Sequence, residues 1–107
     1  MREFSVPVLA ESPPQTNITN MLLDQAAKPS NPALFAVRDG QGEWQRISAT
    51  EFTKDVSALA KGFMASGVKA GDRVAIMSRT RYEWTLVDFA LWFAGAVSVP
   101  VYETSSP

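Results

Sequence analysis

Gly71-Asp72-Arg73-Val74-Ala75-Ile76-Met77-Ser78 carries a short, nearly unbroken apolar run behind a Gly-Asp turn, the pattern of a strand buried on both faces of a parallel sheet. Thr80-Arg81-Tyr82-Glu83 follows with the spacing of a capping box and predicts a helix over 81–94. Along that helix Trp84, Val87 and Leu91 fall on one side, and Tyr82, Leu86, Phe89 and Phe93 on another. Only a narrow stripe with Thr85 and Asp88 is polar, so the helix expects neighbours on most sides. Gly95 ends it, and 97–102 reads as the next strand, with Pro100 limiting its hydrogen bonding. Strand, helix and strand make a βαβ unit, whose strands should be parallel and whose crossover should be right-handed. Both carboxyl ends then point the same way. Residues 78–81 and 102–106 are therefore expected on one rim, where ligands of open α/β sheets bind.

Upstream, 33–38 and 43–47 flank Asp39-Gly40-Gln41-Gly42 and predict an antiparallel hairpin, with Gly40 and Gly42 serving turn geometry and not a phosphate cradle. Ser48-Ala49-Thr50-Glu51 is a second capping box, with Ile47 placed to staple against Phe52. The helix it opens repeats Phe52, Val56, Leu59, Ala60, Phe63 and Met64 at helical spacing and stops at Gly67. A shorter helix, from the capping candidates at 16–19 to about Ala27, presents Ile18, Leu22 and Ala26 on one side. Residues 1–15, with Pro7, Pro13 and Pro14, read as an extended arm; 16–107 read as one α/β unit, a hairpin followed by the βαβ unit.

Composition narrows the function. Ten basic against eleven acidic residues exclude the excess of cationic charge that nucleic-acid binding requires. The absence of histidine and cysteine removes disulfides, thiolate nucleophiles, Cys/His zinc sites and every histidine-based triad. The apolar run 89–97 is about half the length of a membrane span, so no transmembrane segment is expected. Nothing in the first residues reads as a secretory signal, which points to the cytoplasm and leaves peripheral membrane attachment open.

The stretch 67–76, Gly-Val-Lys-Ala-Gly-Asp-Arg-Val-Ala-Ile, resembles the approach to the first βαβ unit in the large N-terminal domain of adenylate-forming (AMP-binding) enzymes. Ser78-Arg79-Thr80-Arg81-Tyr82-Glu83-Trp84 and then 94–106, Ala-Gly-Ala-Val-Ser-Val-Pro-Val-Tyr-Glu-Thr-Ser-Ser, are most similar to the long-chain fatty acyl-CoA ligase branch. The hairpin and the helix from Ser48 fall in the family's order, so the resemblance covers 16–107. It implies an N-terminal segment of a several-fold longer enzyme that joins a fatty acid to coenzyme A. The carboxylate first attacks the α-phosphate of Mg-ATP, releasing pyrophosphate; the thiol of coenzyme A then captures the acyl-adenylate. That chemistry needs a phosphate loop with a lysine, an acid to hold the metal and a lysine from a C-terminal domain. None is found here, and Tyr102-Glu103-Thr104 differs in order and context from the family's Tyr-Gly-x-Thr-Glu motif. No catalytic residue and no metal ligand are assigned. ATP, Mg and coenzyme A are expected of the whole enzyme, and no cofactor or activity of this segment alone.

The weak candidates for binding are Arg79, Thr80 and Arg81, which at a helix N-terminus on the rim would hold a phosphate of ATP or coenzyme A; the plainer alternative is a solvated loop. Trp84, Phe89, Trp92 and Phe93 either line an acyl-chain tunnel or, as aromatics at helical spacing more often do, form core. Ser105 and Ser106 either contact a nucleotide or make a polar connection. Two other readings stay open: a complete small self-associating module, favoured by the surplus apolar surface of helix 81–94, and an adenylating enzyme for another acid. Self-association is expected through the exposed face of that helix or the neighbouring strand edge.

Overall fold

The computed structural model describes residues 3–11, 13–14 and 16–104. Its elements run α1 (Ile18–Ala26), β1 (Ala33–Arg38), β2 (Trp44–Ser48), α2 (Ala49–Ala65), β3 (Arg73–Met77), α3 (Tyr82–Phe93) and β4 (Val97–Val101). β1 and β2 pair antiparallel, while β3 and β4 pair parallel with Arg73 opposite Val97 and Met77 opposite Val101. The hairpin and the βαβ unit expected from the sequence are both present, as two separate two-stranded sheets.

At the hairpin tip the Asp39 carboxylate accepts from the amides of Gln41 and Glu43, each at 2.9 Å. Those donors hold it below the usual carboxylate range, the Glu43 amide foremost. Gly42, at φ +88°, takes the left-handed conformation that closes the turn.

α2 begins where its first amides all find acceptors. Ala49 donates to the Pro32 carbonyl (2.9 Å), Thr50 to Asn31 Oδ1 (3.1 Å) and Glu51 to Ser48 Oγ (3.3 Å). Glu51 reaches back to the Ser48 amide and hydroxyl at 2.9 and 2.7 Å, completing the capping box. The helix closes in a Schellman motif: Val68 N–H meets the Phe63 carbonyl and Gly67 N–H that of Met64, with Gly67 at φ +101°.

α3 starts differently from the sequence expectation. Its N-cap is Arg81 rather than Thr80, with no side-chain cap, and the Glu83 carboxylate accepts instead from the Arg81 guanidinium on both oxygens. The helix divides the core in two. Tyr82, Leu86, Phe89 and Phe93 pack with Leu22, Phe52 and Val56 under the hairpin; Trp84, Val87 and Leu91 pack with Phe63, Val68, Val74, Ile76 and Ala96 against the parallel pair. Ring centroids of Phe35, Tyr82 and Phe89 lie 4.7, 6.0 and 5.4 Å from that of Phe52, which is fully buried.

Three expectations need correction. β3 is covered on one face only: Ile76 is buried, whereas Met77 is 68% exposed, as no second layer of helix lies over the other face. Asp88, on the polar stripe, is itself buried at 7% exposed, and its Oδ1 has no hydrogen-bond partner. Nor is there surplus apolar surface on α3, because both of its apolar sides are used by the two clusters and none of the large exposed hydrophobics belongs to it.

At their amino ends β3 and β4 are pinned together. Gly71 N–H donates to the Gly95 carbonyl at 2.8 Å and Val97 N–H to that of Asp72 at 2.7 Å. Gly95 is at φ +75°, and a Cβ there would stand 3.1 Å from that of Ala70.

Candidate functional site

The carboxyl ends of β3 and β4 do meet on one rim. Ser78, Arg79, Thr80 and Trp84 face Pro100, Val101, Tyr102, Glu103 and Thr104 around a cavity of about 420 Å³. Parallel pairing produces this directly, since each strand releases its loop on the same side of the sheet.

The three candidate residues are close in sequence but differently engaged. Arg79 Nε lies 3.5 Å from Glu103 Oε2, an exposed ion pair that joins the loop after β3 to the turn after β4. Arg81 makes a two-pronged pair with Glu83, one prong at 2.6 Å. That contact raises the Arg81 pKa and lowers that of Glu83, in each case chiefly through the side-chain hydrogen bond between them. Thr80 is exposed in the loop between them. The rim therefore presents two guanidinium groups, each already facing a carboxylate, with Arg79 the more open of the two. The sequence reading assigned Glu83 to a capping box with Thr80 and did not foresee its pair with Arg81. Nor was Glu103 foreseen, because only strand pairing brings it to Arg79.

The aromatic set divides the other way. Phe89 and Phe93 pack in the hairpin-side core, Trp84 packs against the parallel pair, and the Trp92 ring lies 5.0 Å from that of Phe89. Phe89 and Phe93 form core, while Trp84 also lines the rim cavity. Ser105 and Ser106 lie outside the described residues. Gly40 and Gly42 sit in the hairpin turn, as their spacing indicated.

A second cavity, about 510 Å³, lies between the hairpin and the start of α2, lined by Arg38, Asp39, Gln45, Arg46, Glu51, Lys54, Asp55 and Tyr82 among others. The sequence reading missed it. Tyr82 ends there with a buried hydroxyl that has no hydrogen-bond partner; burial, followed by the nearby charge of Asp55, raises its pKa. Arg38 instead stacks over Trp44, 5.1 Å from the ring centroid. Among the described residues no group of three or more His, Cys, Asp or Glu side chains is arranged to hold a metal ion. No helix among them is long and apolar enough to cross a membrane.

Comparison with known proteins places these features in one family. The model of the AMP-binding enzymes matches residues 23–107. Long-chain-fatty-acid–CoA ligase FadD15 of Mycobacterium bovis is 40% identical over 106 residues, 99% of this chain and 18% of the relative. Medium-chain acyl-CoA ligase ACSF2 of Danio rerio is 34% identical over 87% of this chain and 15% of its own length. Among solved structures, a protein of Rhodopseudomonas palustris described as a long-chain-fatty-acid CoA ligase superposes with a TM-score of 0.73 at 26% identity, over 85% of this chain and 22% of that one. The N-terminal subdomain of Klebsiella oxytoca NpsA gives 0.69 at 24% identity, over 83% and 22%, a likeness of fold alone. The chain thus spans under a quarter of each of these relatives. Its hairpin, its βαβ unit and its sequence agree on one assignment: the chain belongs to the AMP-binding enzyme family, in the neighbourhood of the long-chain fatty acyl-CoA ligases.

Proposed function

We propose that this chain is the N-terminal α/β portion of an ATP-dependent long-chain fatty acid–CoA ligase, which adenylates a fatty acid and transfers the acyl group to coenzyme A. The observation that carries the reading is 40% identity across 99% of the chain to a protein named for that activity. ATP, Mg and coenzyme A belong to the whole enzyme, and the metal would be held by residues outside the described set. The segment contributes scaffold and one wall of the rim, and by itself it is inactive.

Arg79, Thr80 and Arg81 are the residues of this segment proposed to hold a phosphate of ATP or coenzyme A. Their support is position, beside the cavity at the carboxyl ends of β3 and β4. The reading of a complete small module has lost the observation that favoured it, now that both apolar sides of α3 are buried.

The test is ATP–pyrophosphate exchange and acyl-CoA formation with long-chain fatty acids. The 107-residue chain should give neither, and a polypeptide as long as the relatives should give both. Exchange by the short chain would overturn its proposed inactivity, and loss of acyl-CoA formation in the long one would overturn the ligase assignment.

A further inference from the structure

The three rim candidates divide by what their side chains already hold. Arg79 and Thr80 line the cavity at the carboxyl ends of β3 and β4, together with Ser78, whereas Arg81 and Glu83 do not. Ser78 fixes the loop from within, its hydroxyl donating to the Arg79 carbonyl at 3.1 Å. The Arg79 backbone is thereby tied while its side chain stands 86% exposed. Its ion pair with Glu103 runs through Nε at 3.5 Å, well beyond the roughly 2.7–2.9 Å of a charge-assisted hydrogen bond. Arg81 is the reverse: its Nε and Nη2 both donate to the Glu83 carboxylate, the second at 2.6 Å, so its fork is closed.

A guanidinium grips a phosphate by presenting two parallel N–H donors to two of its oxygens. Arg79 can present such a fork to the cavity with no more than a long, water-exposed contact to loosen, whereas Arg81 would first have to release two short hydrogen bonds. Thr80 stands beside Arg79 on the lining and adds a hydroxyl donor. On the reading that this rim holds a phosphate, we infer that Arg79 is the leading phosphate contact of the three, with Thr80 as its neighbouring donor, and that Arg81 is secondary because Glu83 holds its fork. The group recognised is a phosphate, carried by ATP or by coenzyme A.

Equilibrium dialysis of ATP, and separately of coenzyme A, against a polypeptide as long as the relatives tests this without requiring turnover. Arg79→Gln should weaken at least one of the two ligands about tenfold, and the ligand that responds names the source of the phosphate. Arg81→Gln should weaken the same ligand by no more than about threefold. Arg79→Lys keeps the charge and loses the fork, so its affinity should fall between that of Arg79→Gln and that of the parent. Circular dichroism accompanies each variant, and all three should keep the parent spectrum, since both arginines are exposed. A parent that binds neither ligand, an Arg79→Gln variant that binds both as the parent does, or an Arg81→Gln variant weakened as much as Arg79→Gln would each overturn the inference. None of these outcomes decides the ligase reading, which stands or falls on acyl-CoA formation.

Discussion

Arg79 and Glu103, one leaving β3 and the other following β4, face each other at 3.5 Å across the rim. Both are solvent-exposed, so the contact joins the two loops without anchoring them. Replacing Glu103 by Gln should change unfolding free energy by no more than about 1 kcal/mol, and raising salt to about 1 M should erase the difference between variant and parent. Denaturant titration at two ionic strengths measures both.

Phe52 is the opposite case. It is fully buried and its ring meets those of Phe35, Tyr82 and Phe89, linking α2 to the hairpin and to α3. Phe52→Ala should cost roughly 3–5 kcal/mol, comparable to the whole stability of a small domain. Circular dichroism should show a largely unfolded chain at room temperature.

Ser48→Ala removes the acceptor for the Glu51 amide and the hydroxyl that Glu51 holds, and should cost roughly 1 kcal/mol. The Glu51 pKa is lowered, first by the Ser48 hydroxyl and then by the Ser48 amide. A carboxyl depressed on folding adds stability above its unfolded pKa, and that stability is lost as pH falls through the lower folded value. The parent should lose stability below about pH 4, and the variant should lose less over the same window. Thermal melts between pH 2 and pH 7, in steps of about one unit, read this directly.

Tyr82→Phe should stabilise the chain by about 1 kcal/mol, because it removes a buried hydroxyl that makes no hydrogen bond. The tyrosine pKa is raised on folding, mainly by burial, so its contribution is complete below about pH 10 and falls away as pH rises toward the folded value. The variant should therefore show a flatter alkaline limb. A melt at pH 8 and another near pH 11 would distinguish this from a purely steric gain.

Asp88→Leu should likewise raise stability, by roughly 1–3 kcal/mol, since Oδ1 is buried without a donor. Equilibrium unfolding of the 107-residue chain is the check. A loss of stability would mean that the carboxylate has a partner in solution.

The periodic elements were legible because their signals are local. A capping box at Ser48, a Gly67 stop and a two-sided apolar helix fix α2 and α3 from residues within a few positions of one another. What failed to read was set at a distance or by an alternative local pairing. Thr80-Arg81-Tyr82-Glu83 matches a capping box, yet the helix is capped one residue later, at Arg81, and Glu83 pairs with that guanidinium. Asp88 looks like a surface residue beside Thr85, and its burial depends on how neighbouring side chains close over it. At the candidate site the rim was legible from strand order alone, whereas Glu103 opposite Arg79 and the cavity at Tyr82 arise from contacts between segments remote in sequence.

Gly71 and Gly95 give the parallel pair a fixed end and a free one. The hydrogen bond from Gly71 N–H to the Gly95 carbonyl, reinforced by that of Val97 to Asp72, anchors the sheet where the strands begin. At the far end, among the described residues, an exposed ion pair spans the loops. Opening of the sheet should therefore start at the rim and travel downward, like a zipper released from its top, with the glycine end the last to separate. Any ligand admitted at the rim would then meet the part of the sheet that spreads most easily.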